Sequence, residues 1–141
     1  MTFTGNYEHT LDNRGRVAIP ARYRESFPGR MAMLVPLPNG CIQVFPQPAF
    51  EELTQEFKAL PITTDEGREL RLRIAGQAFE AELDRQGRIL IPVRKRQQLG
   101  LDGTVVVVGM SECLEIWPAA EWEKRFPGTV SKPSTGQEQV D

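Results

Sequence analysis

Histidine and cysteine are scarce in this chain of 141 residues, which contains one histidine and two cysteines. His9, Cys41 and Cys113 are too few and too scattered to assemble a zinc site or a disulfide framework. The sequence therefore predicts neither a metal site nor a cofactor. Because both cysteines lie inside apolar, strand-like runs, we expect them to be buried small hydrophobic residues.

Long hydrophobic runs are also missing from the sequence. No stretch of about 18 apolar residues occurs. The opening MTFTGNYEHT has no apolar segment of the kind that signal peptides carry. We therefore expect a cytoplasmic protein with no membrane-spanning segment.

The chain has no large excess of charge of either sign, since its formal net charge is -2. Its hydrophobic content of 40% and charged content of 26% are ordinary for a soluble globular protein. The positive charges are unevenly placed, however. Residues 11–25 carry a net charge of +2 and residues 83–97 a net charge of +4, so the remainder carries -8. This concentration favours an anionic partner at these two segments.

The two basic segments are copies of one motif. Residues 11–20, LDNRGRVAIP, return 72 positions later as residues 83–92, LDRQGRILIP, with six of ten residues identical. The similarity continues without a gap beyond these ten residues and indicates two copies of one supersecondary unit. A unit of about 45 residues is too small to bury a core alone, so we predict a pseudo-twofold pair that shares one core.

Each copy has the pattern of a strand, a tight turn, a second strand, a short helix and an apolar hairpin. In the turns, Asp12 and Asp84 can accept hydrogen bonds from nearby backbone amides, and Gly15 and Gly87 can adopt positive φ. A proline follows each second strand, at a position typical of a first helical turn.

A helical insert separates the two copies. Phe50, Leu53, Phe57 and Leu60 fall on one face of its first predicted helix, which ends at Pro61. Thr63 and Glu66 have the spacing of a capping box for the second helix. The predicted organisation is a first unit, the insert, a second unit with a short helix, and a disordered tail, at residues 3–47, 48–76, 77–126 and 127–141.

Two aspartates in two repeated halves call for comparison with aspartic proteases, in which two carboxylates share a proton. Asp12 and Asp84 are the candidates, but neither is followed by the small hydroxyl residue and glycine that this chemistry uses. Neighbouring arginines also favour ionised carboxylates, which opposes a shared proton. We therefore predict that the protein is not an enzyme and has no small-molecule substrate, and that these aspartates form turns.

The repeated arginines are better explained by contacts with nucleic acid. Arg16 and Arg88 directly follow the turn glycines, and guanidinium groups suit phosphate oxygens and the O6 and N7 atoms of guanine. A lone arginine is more often a solvated charge, but the same Gly-Arg pair in both copies favours a function. We predict double-stranded DNA as the partner. The predicted contact residues are Arg14, Gly15, Arg16, Arg22, Arg24, Arg85, Arg88 and Arg94.

The two Asp-x-x-Gly-Arg copies and the segment CLEIWP together resemble the MraZ family of bacterial transcriptional regulators, over roughly residues 3–126. The resemblance implies a mainly β, α+β fold in which two AbrB-like swapped-hairpin units, of the SpoVT-AbrB type, form a pseudo-twofold β-barrel with flanking helices. It implies a nucleoid-associated regulator that binds short tandem repeats upstream of its own division and cell wall operon and represses that operon. It also implies a ring-shaped homo-oligomer.

Carried over by position, the DNA-contacting motif of the family falls on residues 12–16 and 84–88. The first copy has a basic residue, Arg14, just before the glycine, as the family does. The second copy has Gln86 there, with Arg85 one position earlier. This departure leaves open whether the second loop contacts bases, phosphates or neither.

The alternative function is that of an AbrB-like module for protein–protein interaction, of the antitoxin kind. An exposed apolar helix face at Phe50, Leu53 and Phe57 would favour this alternative. A failure to bind any promoter fragment would favour it as well.

Overall fold

The computed structural model describes residues 2–131. This part of the chain forms eight β-strands, four α-helices and three short 3-10 helices. The strands are β1 (Asn6–Thr10), β2 (Arg16–Ala18), β3 (Met31–Pro36), β4 (Ile42–Pro46), β5 (Phe79–Glu82), β6 (Arg88–Leu90), β7 (Thr104–Gly109) and β8 (Leu114–Pro118). The α-helices are α1 (Gln47–Glu56), α2 (Asp65–Arg73), α3 (Val93–Leu99) and α4 (Ala119–Arg125), and the 3-10 helices are Ala21–Ser26, Pro28–Arg30 and Phe57–Ala59.

The strands form two antiparallel sheets. Six of them lie in the order β1-β7-β8-β4-β3-β5, and β2 pairs with β6 in a separate ribbon. The predicted mainly β, α+β class with flanking helices is confirmed. The described strands do not close into the expected barrel, because β1 and β5 stay at opposite edges of the six-stranded sheet instead of pairing with each other.

The two halves of the chain exchange their first strands. Strand β1 pairs with β7 of the second half, and β5 pairs with β3 of the first half. Residues 72 positions apart face each other at two places, Gln43 with Glu115 and Val17 with Ile89. A pseudo-twofold axis therefore passes through the β4–β8 pair and through the β2–β6 ribbon, and it relates the two copies of the motif.

The two copies are not aligned without a gap. Ala32 of β3 pairs with Pro46, whereas Val105 of β7 pairs with Pro118. The prolines are 72 positions apart, but Ala32 and Val105 are 73 apart, so the expectation of an ungapped repeat is wrong in this stretch. Both strands are apolar almost throughout, and sliding one by a residue leaves the hydrophobic pattern nearly unchanged.

The shared core lies between the ribbon and one face of the six-stranded sheet. Val17 and Ile89, both with 0% exposure, pack there with Leu34 and Val107. Because side chains alternate along a strand, burial of Val17 and Ile89 turns their neighbours towards solvent. This outer surface, called the ribbon face below, carries Arg16, Ala18, Arg88 and Leu90.

Helix α1 covers the opposite face of the sheet. Phe50 and Phe57 are 9% and 4% exposed, and Phe50 belongs to a cluster with Val35 and Cys113. Helix α1 ends at Glu56, before the predicted end at Pro61. On the predicted apolar face Phe50 and Phe57 are buried, Leu53 is half-buried and Leu60 is 37% exposed. Cys41 and Cys113 are buried free thiols, as expected from their apolar surroundings.

Helix α2 begins at a different cap from the one expected. The hydroxyl of Thr64, rather than that of Thr63, accepts a hydrogen bond from the backbone N–H of Gly67 at 3.0 Å. A Cβ at Gly67 would collide with the carbonyl oxygens of Leu60 and Pro61. The close approach of this preceding segment, which a local motif cannot show, fixes where the helix starts.

The first residues of the predicted tail lie beside strand β1. The backbone N–H of Glu8 donates to the carbonyl oxygen of Ser131 at 2.9 Å, and Trp122 Nε1 donates to the Thr129 hydroxyl at 3.1 Å. Residues 132–141, the remainder of that segment, lie outside the described residues. Across residues 2–131, no helix combines the length and the apolar composition needed to cross a membrane.

Candidate nucleic-acid interface

Each repeated turn is built around its aspartate. Asp12 Oδ1 accepts hydrogen bonds from the backbone N–H groups of Arg14 and Arg16, at 2.9 and 2.8 Å. The N–H of Gly15 donates to the Asp12 carbonyl at 3.0 Å, with the glycine at φ +86°. The turn at Asp84 has the same two bonds to its carboxylate, both at 2.9 Å. Two short chain segments are thus held in one geometry, which fixes where the next side chain leaves the backbone.

Four side chains from the two turns meet at the pseudo-twofold axis. Arg16 Nε donates to Asp12 Oδ2 at 2.7 Å, and Arg88 Nε donates to Asp84 Oδ2 at 2.9 Å. Longer ion pairs cross between the halves, from Arg16 to Asp84 at 4.0 Å and from Arg88 to Asp12 at 3.7 Å. We call these four residues the Asp–Arg cluster. Their side chains are 27–33% exposed, so the cluster is anchored in the fold and still open to solvent.

The hydrogen bonds of the cluster hold its carboxylates in the ionised form. The backbone N–H of Arg16 is the main cause that lowers the pKa of Asp12 from 3.8 to about 2, partly opposed by desolvation. The backbone N–H of Arg88 likewise lowers the pKa of Asp84. Two carboxylates that both stay ionised at neutral pH cannot share a proton, which is the opposite of the arrangement in an aspartic protease.

The geometry leaves the outer edge of each guanidinium available. Nε is within hydrogen-bond distance of its own aspartate, whereas the terminal nitrogens of Arg16 and Arg88 that approach the second aspartate lie at 4.0 and 3.7 Å, beyond hydrogen-bond length. A guanidinium held through Nε can direct its terminal amino groups at two acceptors, such as guanine O6 and N7 or two phosphate oxygens. The four arginines of the two turns, Arg14, Arg16, Arg85 and Arg88, outnumber the two aspartates.

The turn glycines are required by close contacts across the two halves. Arg96 of the second half packs over Gly15, where a Cβ would lie 2.5 Å from its Cζ, and Arg24 packs over Gly87 in the same way, at 2.7 Å. The Nε atoms of Arg24 and Arg96 donate to backbone carbonyl oxygens at 2.9 Å. Turn geometry, the reason predicted for these glycines from the sequence, is therefore only part of why they are required. The DNA contact predicted for Arg24 stays a prediction, and its Nε already has a partner within the chain.

The remaining predicted contact residues occupy different surroundings. Arg22 lies over the rings of Tyr7 and Tyr23, 5.3 and 4.7 Å from their centroids, and donates to the Tyr7 hydroxyl. Its predicted DNA contact is also untested, and the guanidinium stabilises the first half of the fold. Arg14 and Arg85 are exposed at the turns, and Arg94 is exposed on α3.

Two residues near the turns are not among those predicted. Leu90 is 50% exposed on the ribbon face and pairs with Arg16 across the ribbon. Arg30 has the left-handed φ of 60° and donates from Nε to the carbonyl oxygen of Leu83 at 3.1 Å. With the one-residue gap in place, Arg30 aligns with Gly103, whose φ is 65°. Without the gap Arg30 aligns with Asp102, so the sequence alone gives no signal for this residue.

The chain has clear similarity to proteins of one family. The family model described as "MraZ protein, putative antitoxin-like" matches residues 2–73 and again residues 74–139. A protein named "Transcriptional regulator MraZ" from Moorella thermoacetica is 42% identical over 122 residues, covering 86% of this chain and 85% of the relative. Its namesake from Carboxydothermus hydrogenoformans is 42% identical over 127 residues, with 89% and 87% coverage, and that from Pelotomaculum thermopropionicum is 39% identical over 121 residues, with 86% and 83% coverage. The double match to one family model agrees with the internal repeat.

Proposed function

The chain belongs to the MraZ family, as its sequence motifs predicted, and from this premise we propose that it is a transcriptional regulator that binds double-stranded DNA through the ribbon face. The relatives that cover most of the chain carry the name of a transcriptional regulator, which is not a class of enzyme. The ionised Asp12 and Asp84 support the same view.

The Asp–Arg cluster is the observation that carries this proposal. Burial of Val17 and Ile89 anchors the ribbon, and each aspartate holds the Nε of its arginine, so Arg16 and Arg88 are presented with little conformational freedom left to lose. Rigid presentation is what base recognition needs, because a bidentate contact discriminates between bases only when the two donors are fixed in direction. Solvated charges that serve only solubility have no need of such support.

A β-ribbon and its loops can enter the major groove of DNA as a helix does. The ribbon face brings two arginines related by a pseudo-twofold axis to one surface. The flanking turns differ, since Arg14 of the first occupies the place of Gln86 in the second. Arginine suits guanine and glutamine suits adenine. We propose that both turns contact DNA and that they prefer different bases.

The fold also bears on how the chain assembles and which DNA it binds. Exchange of β1 and β5 between the halves supports an AbrB-like, swapped-hairpin origin of the fold. One chain offers only two turns, and linked copies gain affinity for tandem sites by raising the effective concentration. We propose a ring-shaped homo-oligomer, associated with the nucleoid, that represses its own operon from short repeats upstream. A monomeric mass in light scattering would contradict the oligomer.

The alternative, a protein-interaction module of the antitoxin kind, has less support. It requires an exposed apolar face at Phe50, Leu53 and Phe57, but Phe50 and Phe57 are buried and Leu53 is half-buried. The cationic ribbon face is also a poor match for an apolar partner. DNA binding is therefore the better explanation of the same fold.

Fluorescence anisotropy with the DNA upstream of the protein's own gene tests the proposal. Arg16→Ala and Arg88→Ala should each weaken binding at least about fivefold, since one bidentate base contact is worth about 1–3 kcal/mol. Arg68→Ala, which removes the same charge from the exposed surface of α2, is the matched control and should bind like the unchanged protein. Equal affinities for all four proteins would overturn the assignment of the ribbon face.

A further inference from the structure

A concavity beside the second turn is lined by three arginines. It encloses about 360 Å³ and contains Arg24, Arg30 and Arg85, next to Gly87 of the turn and Glu25. Within residues 2–131, none of the three arginines forms a salt bridge. The lining therefore has a net charge of +2, from three arginines and Glu25.

Arg30 occupies its place at a conformational cost. Its φ of 60° lies in the left-handed region, which residues with a Cβ rarely adopt. The equivalent residue of the other half is Gly103, with φ 65°. The two residues accept equivalent hydrogen bonds. The backbone N–H of Leu83 donates to the Arg30 carbonyl oxygen and that of Leu11 to the Gly103 carbonyl oxygen, each at 2.8 Å. The backbone geometry is thus common to both halves, and glycine satisfies it without strain.

The side chain of Arg30 gives a reason for keeping a strained residue. It extends along the edge of the concavity and donates to the carbonyl oxygens of Leu83 and Asp84, just before the second turn. Both bonds reach backbone oxygens and leave the positive charge unneutralised. Strained residues that carry a polar side chain to the rim of a cavity are common at binding sites.

The corresponding concavity of the other half has a different charge. It encloses about 330 Å³ and contains Arg96 together with Asp102, so its charges cancel. The pseudo-symmetry of the fold therefore provides an internal comparison. Only the first concavity also includes residues of a turn, among them Arg85, and only there does an arginine, Arg30, occupy the place of Gly103. The first concavity therefore has two more cations than the second.

We propose that the concavity at Arg24, Arg30 and Arg85 is a phosphate-binding site, occupied by a phosphate of the DNA backbone beside the ribbon face. Guanidinium groups offer several N–H donors to phosphate oxygens, and the anion relieves the repulsion between the three cations. The site adjoins the turn that carries Arg88, which makes the DNA backbone its nearest source of phosphate. This inference rests on the proposed function, and it adds a contact made by one half only, which orients the chain on the duplex.

The salt dependence of binding measures this contact directly. Loss of one phosphate contact lowers the slope of log affinity against log salt concentration by about 0.9, which corresponds to about eightfold weaker binding at 0.1 M salt. We expect this change for Arg30→Gly and for Arg85→Ala with a duplex of random sequence. Glycine is tolerated by this backbone, as Gly103 shows. Arg85 is exposed, so its removal leaves the fold intact.

A charge-retaining variant separates phosphate binding from a purely structural role of Arg30. Arg30→Lys keeps the cation but loses the planar fork that reaches Leu83 and Asp84. A phosphate site predicts that the lysine variant keeps the original salt slope. If only the two backbone bonds matter, the lysine variant should bind as weakly as the glycine variant. An unchanged salt slope in both Arg30→Gly and Arg85→Ala would overturn the proposal.

Inorganic phosphate distinguishes failure of this site from failure of DNA binding. Titration of the unchanged protein, followed by the NMR signals of the arginine Nε–H groups, should shift the Arg30 signal, and Arg85→Ala should weaken that shift. If no duplex binds but the signal shifts, the proposed function fails. The site then binds free phosphate, and the claim that its phosphate belongs to DNA is overturned. If duplex binds but phosphate moves no signal and both slopes are unchanged, the site itself is refuted.

Discussion

Arg96 of the second half lies directly over Gly15 of the first, so close that a Cβ on the glycine would be 2.5 Å from the guanidinium carbon. Arg24 and Gly87 repeat the contact across the axis. The two turns that carry the Asp–Arg cluster are therefore each covered by an arginine of the opposite half. Each turn has a short, local sequence motif, yet it depends on a residue more than 60 positions away in the chain.

Gly15→Ala should destabilise the protein by about 2–3 kcal/mol. The left-handed φ of +86° costs an alanine about 1–2 kcal/mol, and the displaced Arg96 loses its bond to the Ile91 carbonyl, worth about 1 kcal/mol. Urea unfolding of Gly15→Ala, Arg96→Ala and the double variant measures the coupling. Gly103→Ala is the control, because its φ is also positive but no atom lies within 4 Å of its Cβ position. Strict additivity of Gly15→Ala and Arg96→Ala would contradict the contact.

Asp12→Asn should reduce sequence discrimination more than affinity. The asparagine oxygen can still accept from the backbone N–H groups of Arg14 and Arg16, but the anion that holds Arg16 Nε is lost. We compare the affinity for the DNA upstream of the protein's own gene with the affinity for a duplex of random sequence, and we expect their ratio to fall about tenfold. Random-duplex binding should not weaken, because the variant is more positive by one charge. Asp65→Asn, the same change at the start of α2, serves as the control. A parallel loss of both affinities would instead mean that Asp12 only maintains the fold.

The acid stability of the protein should depend on Asp12. Its pKa is lowered in the folded state from 3.8 to about 2, so the carboxylate contributes stability that is fully present above about pH 4. This contribution is lost as the pH falls from about 4 through 2, because the proton then binds the unfolded chain more readily than the folded one. Urea midpoints of the unchanged protein and of Asp12→Asn should differ at pH 7 and converge near pH 2. A difference that stays constant over this range would rule out the linkage.

Cys41 and Cys113 should not react with thiol reagents in the folded protein. Burial is the main cause that raises the pKa of both thiols to about 12, so almost no thiolate exists at pH 8. Dithiobis(nitrobenzoate) should release no colour from the native protein within minutes and two equivalents after unfolding in guanidinium chloride. Rapid native reaction of either thiol would show that the sheet opens around it.

Several parts of this architecture can be predicted from the sequence because they rest on local rules. The repeated unit can be identified in both halves from strand periodicity, from the two Asp-x-x-Gly turns and from the prolines after β2 and β6. The extension of the similarity beyond ten residues identifies the pairing of two units. Two predictions are wrong: the cap of α2 at Thr63 and the alignment of the two copies without a gap. Packing decides both, through the approach of Pro61 to Gly67 and through the register of two apolar strands.

The candidate site divides in the same way. Arg16 and Arg88 stand out from the sequence, because a Gly-Arg pair repeated in both copies has no explanation in turn formation. Arg30 does not stand out, because its importance depends on the gap that aligns it with Gly103 and on a φ of 60°. Arg22 and Arg24 are predicted as DNA contacts because they are arginines close to the motif. The fold gives their guanidinium groups partners within the chain.

By itself the sequence determines that two copies of a strand–turn–strand motif occur, that each turn has an aspartate and a glycine, and that positive charge gathers on them. These properties follow from spacing and from the chemistry of single residues. Only the tertiary structure decides that β1 and β5 change places, that the two aspartates and two arginines meet at one axis, and that Arg24, Arg30 and Arg85 line one concavity. The reason is that these relationships join residues far apart in the chain, and their geometry is set by how two nearly identical halves bury a common core.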